Sequence, residues 1–252
     1  MPAHGRGAVL VLLGLVVALL ATACGGVLRK KYEYEEEMYL FLDGTAIVNV
    51  NASVASLVAL RGADLPVDPD ARVDRRRVRA FFEGPGATVT AVNLSRRHGR
   101  RFVHVGINVS DVRQLPRLTA FHWSSYRFER EGDLVVYKQT VGRPEGKVPG
   151  DIGWTGAEAV MFKMHLPSQI PYHNAPSKRV ERGNILEWEQ PLEERLRGVP
   201  IDVEVRMEPE SILYTTLLLF GSTVVAAALV FVAVIWWVWR RGREPEAVSR
   251  SA

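Results

Sequence analysis

The chain has 252 residues, of which 47% are hydrophobic and 24% are charged, and its formal net charge is +4. Its one cysteine, Cys24, excludes an intrachain disulfide, so an exported domain must be stabilised by its core. The positive excess lies mostly near the two ends, and residues 24–211 carry only +1. This balance argues against nucleic-acid binding, which needs a basic surface across a whole domain.

The first 23 residues resemble a secretory signal peptide. His4 and Arg6 form a weakly basic start, and an uncharged stretch rich in Leu and Val follows. Ala21 and Ala23 fit the A-x-A pattern for cleavage after Ala23. The same bond is cut in a bacterial lipoprotein, whose lipobox would end in Cys24. Three alternatives stay open: lipidation of Cys24, an ordinary cleaved signal peptide, and an uncleaved membrane segment.

A second apolar segment lies near the C-terminus. The 28 residues from Ile212 to Trp239 include no charged residue, and Arg240 and Arg241 follow directly. As a helix the segment would be about 42 Å long, more than the roughly 30 Å hydrocarbon thickness of a bilayer. It predicts a transmembrane helix over 212–239. The positive-inside rule then predicts a cytoplasmic basic tail (240–252) and an extracytoplasmic domain (24–211) at the cell membrane.

Alternating patterns predict strands in most of the exported domain. Residues 32–42 alternate, and a second alternating segment follows Asp43-Gly44, which is a strong hairpin signal. Further strands are predicted at 88–94, 101–109, 126–130, 134–140, 160–166, 185–189 and 201–207. The last of these alternates most regularly and ends four residues before the apolar segment, which predicts a domain held close to the bilayer.

Two helices are predicted after the first hairpin. One covers residues 54–60 with Ser53 as its N-cap, and the other begins with Asp68 as N-cap and Pro69 at its first position. The second helix turns four arginines outwards, namely Arg72, Arg75, Arg76 and Arg79. These are either a solvated face or contacts to anionic lipid headgroups. The order of elements predicts an α+β domain with a mostly antiparallel, curved sheet, which can enclose an apolar cavity.

No catalytic motif stands out. The patterns G-x-S-x-G, H-E-x-x-H, the Walker loop and G-x-G-x-x-G after a strand are all absent from the sequence. We therefore expect no enzyme activity, no metal and no cofactor, with an envelope hydrolase as the least favoured alternative. His165 and His173 would share a metal only if the loop between them folded back. The acidic run 35–37 (EEE) is either a solvated strand face, which is the more common case, or a metal or cation site.

Aromatic residues are the stronger candidates for a binding site. The candidates are Trp123, Tyr126, Trp154, Phe162, Tyr172 and Trp188. Aromatic side chains of this kind either build the core or line the cavity and rim of a lipid-binding site. Both alternatives stay open.

Three short segments resemble the end of the LppM-type domain family. They are 165–170 (HLPSQI), 173–175 (HNA) and 183–188 (GNILEW). Members of this family are bacterial extracytoplasmic proteins, often lipoproteins, with one C-terminal membrane helix. This chain has Ser168 and Ala175 where the family usually has Gly. The resemblance implies an α+β domain with a lipid- or glycolipid-binding role at the envelope, and no catalytic residue is carried over.

The leading hypothesis is a membrane-anchored, non-enzymatic protein of the bacterial envelope. Its exported domain would bind lipid, glycolipid or an envelope partner. The alternative is a structural or assembly subunit that acts through its transmembrane helix. Gly221, Ser222 and the alanines at 226–228 would allow close contact with a partner helix.

Overall fold

Residues 31–97, 99–147 and 149–241 are described by the structure, which is a computed structural model of the chain. The predicted signal peptide (1–23), the predicted lipid anchor Cys24 and the tail beyond Arg241 lie outside the described residues. All three remain predictions.

Ten strands lie within the described part of the chain. They are β1 (Lys31–Leu40), β2 (Ala46–Ser53), β3 (Ala87–Arg97), β4 (Arg100–Val109), β5 (Ser124–Glu131), β6 (Leu134–Val141), β7 (Glu158–His165), β8 (Tyr172–His173), β9 (Ile185–Pro191) and β10 (Ile201–Met207). Every strand predicted from alternation is present, with ends that move by a few residues.

The strands form two sheets rather than one. Six strands form the first sheet, in the order β3-β4-β2-β1-β7-β9, and four form the second, in the order β5-β6-β10-β8. All paired neighbours are antiparallel except β1 and β7, which run parallel. The class is therefore α+β with mostly antiparallel sheets, as predicted. Alternation locates strands, but it does not say which strands pair.

Four α-helices and one 3-10 helix accompany the sheets within the described residues. They are α1 (Val54–Arg61), α2 (Arg75–Phe82), the 3-10 helix Val112–Arg117, α3 (Leu192–Leu196) and α4 (Ile212–Arg241). The α1 helix begins where predicted, because the Ser53 hydroxyl accepts a hydrogen bond from the Ser56 backbone N–H. It ends at Gly62, whose φ of +67° is the left-handed conformation that favours glycine.

The predicted start of the second helix was wrong. Helix α2 begins at Arg75 with Asp74 as its N-cap, and Asp68 caps a turn instead. The backbone carbonyls of Pro69 and Asp70 would have to accept helical hydrogen bonds in the predicted helix. The Arg101 side chain, which projects from β4, donates to both carbonyls. This tertiary contact holds the segment in a turn.

One core cluster joins the two sheets, α1 and α2. The inward positions of β1 and β2 alternate with half-exposed ones, which gives the first sheet a buried face and an outer face. Seven of the eight α1 residues are buried, so this helix is enclosed on nearly all sides. Helix α4 is long and apolar enough to cross a bilayer, and its side chains contact little of the domain.

Candidate functional site

The two ends of β10 define the two ends of the domain. Ile201 lies at the far end and Met207 at the end where α4 begins, which we call the α4 end. Seven residues of strand separate these ends by about 20 Å. Strand β6 runs antiparallel to β10, so Val141 lies at the far end and Val135 at the α4 end.

Helix α4 is joined to the domain by backbone hydrogen bonds. The Ile212 N–H donates to the Pro167 carbonyl at 3.1 Å, and Ser168 and Ser211 form an isolated β-bridge. The Glu208 N–H donates to the Gln169 carbonyl at 3.0 Å. These bonds hold the four residues between β10 and α4 against the loop that follows β7.

Two large side chains are exposed at the α4 end. Tyr39 of β1 pairs with His165 of the parallel strand β7, so Phe41 lies at the same level of the sheet as Pro167. Phe41 is 44% exposed and Tyr172 is 47% exposed. Tyr172 pairs with Arg206 of β10, one residue before the strand ends. Both aromatic rings therefore lie near the start of α4.

The core contains a buried ion pair that the sequence analysis did not single out. Arg61, the last residue of α1, forms a 2.5 Å ion pair with Glu36 of β1, and both side chains are buried. Arg61 also donates to the Tyr34 hydroxyl and the Ala120 carbonyl, and the Tyr34 hydroxyl donates to Glu36 at 2.7 Å. Burial raises the pKa of Tyr34 well above its ordinary value, so its hydroxyl stays protonated.

The interpretation of residues 35–37 as a solvated face was wrong for Glu36. Residues 34, 38 and 40 are apolar and buried, so position 36 faces the core in the same register. Glu35 and Glu37 are half-exposed on the outer face, as predicted. The alternation therefore indicated that Glu36 faces inwards, but nothing in the sequence paired it with Arg61, which is 25 residues away.

A second group of buried charges lies at the far end of the first sheet. Arg100 lies 2.8 Å from Glu33 and 3.7 Å from Glu158, and both carboxylates are almost fully buried. Trp154 donates from its indole N–H to Glu33 at 3.2 Å. Glu158 also accepts from the backbone N–H of Thr155. Each carboxylate is thus held by several donors, which is the arrangement of a structural ion-pair network.

Four polar side chains form a row across the outer face of the first sheet. The Ser95 hydroxyl lies 2.7 Å from His104 Nε2, and His104 Nδ1 lies 2.8 Å from Asn51 Oδ1. The Asn51 amide donates to Glu35 at 3.3 Å. Burial and the positive charge of Arg97 hold the pKa of His104 below its ordinary value, although Glu35 opposes the shift. The imidazole is therefore mainly neutral at pH 7.

The row has the order of a nucleophile, a base and an orienting group, but its setting differs from that of a hydrolase. A catalytic serine lies beside donors that stabilise an oxyanion, often at a sharp turn. Ser95 lies within β3, in register with Phe102 of β4, on a half-exposed strand surface. We interpret the row as a cross-strand polar network, and the absence of enzyme activity stays a prediction.

The six aromatic candidates do not share one location. Trp123 and Phe162 pack in the core around Tyr34, with ring centroids 6.3 Å apart, and Trp188 pairs with Phe162 across β7 and β9. Tyr126 is partly buried, and its hydroxyl accepts a 3.4 Å hydrogen bond from Gln139. The other two, Trp154 and Tyr172, lie at the far end and at the α4 end, as described above. Their role as a cavity or rim stays a prediction.

The four candidate arginines are spread along the chain before and within α2. Arg72, Arg75 and Arg76 are exposed, and Arg72 precedes the helix rather than belonging to it. Arg79 is half-buried, donates to the Val89 carbonyl and lies 3.9 Å from Glu83. Their contact with lipid headgroups stays a prediction.

The two histidines considered as metal ligands, His165 and His173, have different hydrogen-bond partners. His165 lies 2.8 Å from Glu37 and stacks on Tyr39 with ring centroids 4.0 Å apart. His173 accepts a hydrogen bond from the Ala175 backbone N–H. Across residues 31–97, 99–147 and 149–241, no cluster of three or more His, Cys, Asp or Glu residues is placed to hold a metal ion.

Comparison with known proteins finds only weak structural likeness. No family model and no curated protein matches the chain. Among solved structures, the folded domain of the Mycobacterium tuberculosis protein LppM, determined by NMR, aligns with a TM-score of 0.40 and 11% identity. The alignment covers 73% of this chain and 94% of that one. The resemblance noted in the sequence is therefore matched by a weak structural resemblance, which indicates neither an activity nor a ligand.

Proposed function

We propose that the protein is a membrane-anchored, non-enzymatic component of the bacterial envelope. Its domain lies on the extracytoplasmic surface of the bilayer and binds lipid or glycolipid at the α4 end. The observation that carries this proposal is the backbone contact between α4 and the domain, in which Ile212 donates to Pro167 and Ser211 bridges to Ser168. Because α4 begins at the domain surface, a bilayer that contains α4 also touches this surface.

The composition of α4 supports its insertion in a membrane. The helix has 30 residues and is about 45 Å long, and its large apolar side chains are exposed along its whole length. An exposed apolar surface of this size is unfavourable in water and favourable in hydrocarbon. At its end, Arg240 and Arg241 lie over the rings of Trp236 and Trp237, at 5.2 Å and 4.3 Å. Arginine and tryptophan together are typical of a cytoplasmic interface.

The exposed aromatic residues at the α4 end support contact with the bilayer. Phe41 and Tyr172 are each more than two-fifths exposed beside the start of α4. Aromatic rings with a polar neighbour favour the headgroup region, and Tyr172 lies against the Arg206 guanidinium at 5.6 Å. In the proposed orientation, both rings enter the interface, and the Arg206 guanidinium, which lies 3.1 Å from Glu204, also meets phosphate groups.

Spin labels test this orientation. The full chain is placed in nanodiscs on a Cys24→Ser background, with one label at Phe41→Cys and a matched control at Ser125→Cys, an exposed position near the far end. We expect the Phe41→Cys label to be accessible to oxygen and protected from a water-soluble relaxer, and the Ser125→Cys label to show the reverse. Equal accessibility to the water-soluble relaxer at both positions would contradict the proposal.

Native mass spectrometry tests lipid binding itself. The full chain is released from nanodiscs of mixed neutral and anionic lipid, and the mass of bound lipid is measured. We expect retained lipid, and we expect less of it when Tyr172→Ser and Arg206→Gln are combined, because these residues would hold the headgroup. If the chain retained no lipid, the proposal that its domain binds lipid would be excluded. A stoichiometric membrane-protein partner recovered without lipid would instead support the assembly subunit.

A further inference from the structure

A cleft opens at the far end of the domain, away from α4. It lies between α1, α3 and the loop that follows β6, and its volume is about 340 Å³. Its walls include Ala59, Arg143, Gly146, Leu196, Arg197 and Gly198. The Arg143 side chain lies across Gly198, since a methyl group added at Gly198 would meet its Cγ at 3.1 Å. Two arginines therefore face one small cleft.

A third arginine lies buried behind this cleft. Arg195 is 0% exposed, and its guanidinium donates to the carbonyls of Gly142 and Val199. These two residues are the chain neighbours of Arg143 and Gly198, so the guanidinium lies behind the cleft wall. Its Nε has no hydrogen-bond partner. Burial, and to a lesser degree the charge of Arg61, lowers the pKa of Arg195 to about 10, so it is still cationic at pH 7.

Two of the three arginines at this place lack an acidic partner in the described part of the chain. Within the described residues, neither Arg143 nor Arg195 has an acidic partner within ion-pair distance. Of the nearby carboxylates, Glu145 lies 2.6 Å from His122, and Glu193 lies 3.5 Å from Arg197. A buried cation without a counter-ion is costly, and an anion bound nearby would offset part of that cost.

The backbone around the cleft allows an anion to approach. The C-terminal ends of α1 and α3 carry partial negative charge, which would repel an anion if their carbonyls were free. Most of these carbonyls accept backbone hydrogen bonds: Leu57, Val58 and Leu60 in α1, and Glu193, Glu194 and Arg195 in α3. The arginine charges therefore dominate the cleft.

We propose that this cleft binds a small oxyanion, a phosphate or carboxylate group of a soluble ligand. Arg143 and Arg197 contact the anion, and the positive charge of the buried Arg195 attracts it from behind the cleft wall. The cleft lies at the far end, about 20 Å along β10 from the start of α4. The ligand therefore comes from the solvent and not from the bilayer that holds α4, and the site is separate from the lipid-binding surface proposed above.

Isothermal titration calorimetry tests the site with inorganic phosphate as the probe. The full chain is used in nanodiscs of zwitterionic lipid. We expect the wild type to bind phosphate and Arg143→Ala/Arg197→Ala to weaken the affinity by about tenfold or more, because two charge-assisted contacts are lost. The matched control, Arg75→Ala/Arg76→Ala on α2, removes the same charge elsewhere and is expected to keep the wild-type affinity.

Two further measurements separate this site from general electrostatic attraction. Glu193→Gln removes the partner of Arg197 and is expected to tighten phosphate binding by about two- to threefold. Anionic nanodiscs are expected to leave the affinity unchanged, because the bilayer is distant. The proposal would be overturned if phosphate did not bind, if both double variants weakened binding equally, or if anionic lipid displaced the phosphate.

Discussion

At the scale of single residues, buried charge is the feature that most constrains this domain. Arg61 brings a guanidinium into the core at the end of an apolar helix, where it meets Glu36 and lies 3.8 Å from the centre of the Trp123 ring. Sequence alone could place Glu36 on the inward face of β1. It could not pair Glu36 with Arg61, because the two residues are 25 positions apart and meet only through the packing of α1 on β1.

Removing Arg61 should destabilise the domain strongly. In Arg61→Met, Glu36 would remain buried without its partner, so we expect the free energy of unfolding to fall by about 3–5 kcal/mol. Adding Glu36→Gln should recover part of this loss, because the remaining group is then neutral. Urea unfolding of the full chain in detergent, followed by near-UV circular dichroism, measures both variants. Arg117→Met, an exposed control, should unfold as the wild type does. A double variant less stable than Arg61→Met would contradict this account.

Protonation of His104 should weaken the domain in mild acid. Burial and Arg97 lower its pKa in the folded state, so the unfolded chain binds this proton more readily. The neutral His104 side chain therefore makes its full contribution to the free energy of unfolding above about pH 6.5, its ordinary pKa. This contribution falls as the pH drops towards the pKa of His104 in the folded state. NMR titration of the imidazole measures the shift. Arg97→Ala should move the pKa of His104 upwards, and an unchanged or lower value would refute the proposed cause.

At the scale of elements, the sequence predicted local structure better than it predicted partners. The apolar run 54–60 and its Ser53 cap suffice to define α1, and alternation suffices to define the strands. The parallel pairing of β1 with β7 and the division into two sheets depend on contacts between distant segments. The start of α2 was predicted wrongly for the same reason. The Arg101 side chain of β4 donates to the Pro69 carbonyl and holds this segment in a turn.

The loop after β6 offers a sharp test of element packing. A methyl group added at Gly146 would lie 1.7 Å from the Val58 carbonyl oxygen, whereas one added at Gly150 would meet nothing within 4 Å. Gly146→Ala should therefore push the loop away from α1 and lower the midpoint of thermal unfolding by several degrees, as expected for about 1–3 kcal/mol of overpacking. Gly150→Ala is the matched control in the same loop. Equal midpoints for the two variants would show that the loop does not pack as described.

At the scale of the whole molecule, the α4 end and the far end separate two proposed roles. The α4 end carries the helix, Phe41 and Tyr172, and is assigned to the bilayer. The far end carries the arginine cleft and faces solvent about 20 Å away. The six aromatic candidates from the sequence are divided between the core and these two ends. The residue type alone does not reveal whether an aromatic side chain lies in the core or at one of the two ends.

The central claim is that α4 crosses the membrane with the domain outside and the basic tail inside. On a Cys24→Ser background in a bacterial host, cysteine is introduced at Ser125, an exposed position in β5, or at Ser249 in the tail. A membrane-impermeant maleimide is then applied to intact spheroplasts. The account predicts labelling of Ser125→Cys at once, and labelling of Ser249→Cys only after the membrane is permeabilised. Labelling of Ser249→Cys in intact spheroplasts, with Ser125→Cys protected, would contradict it.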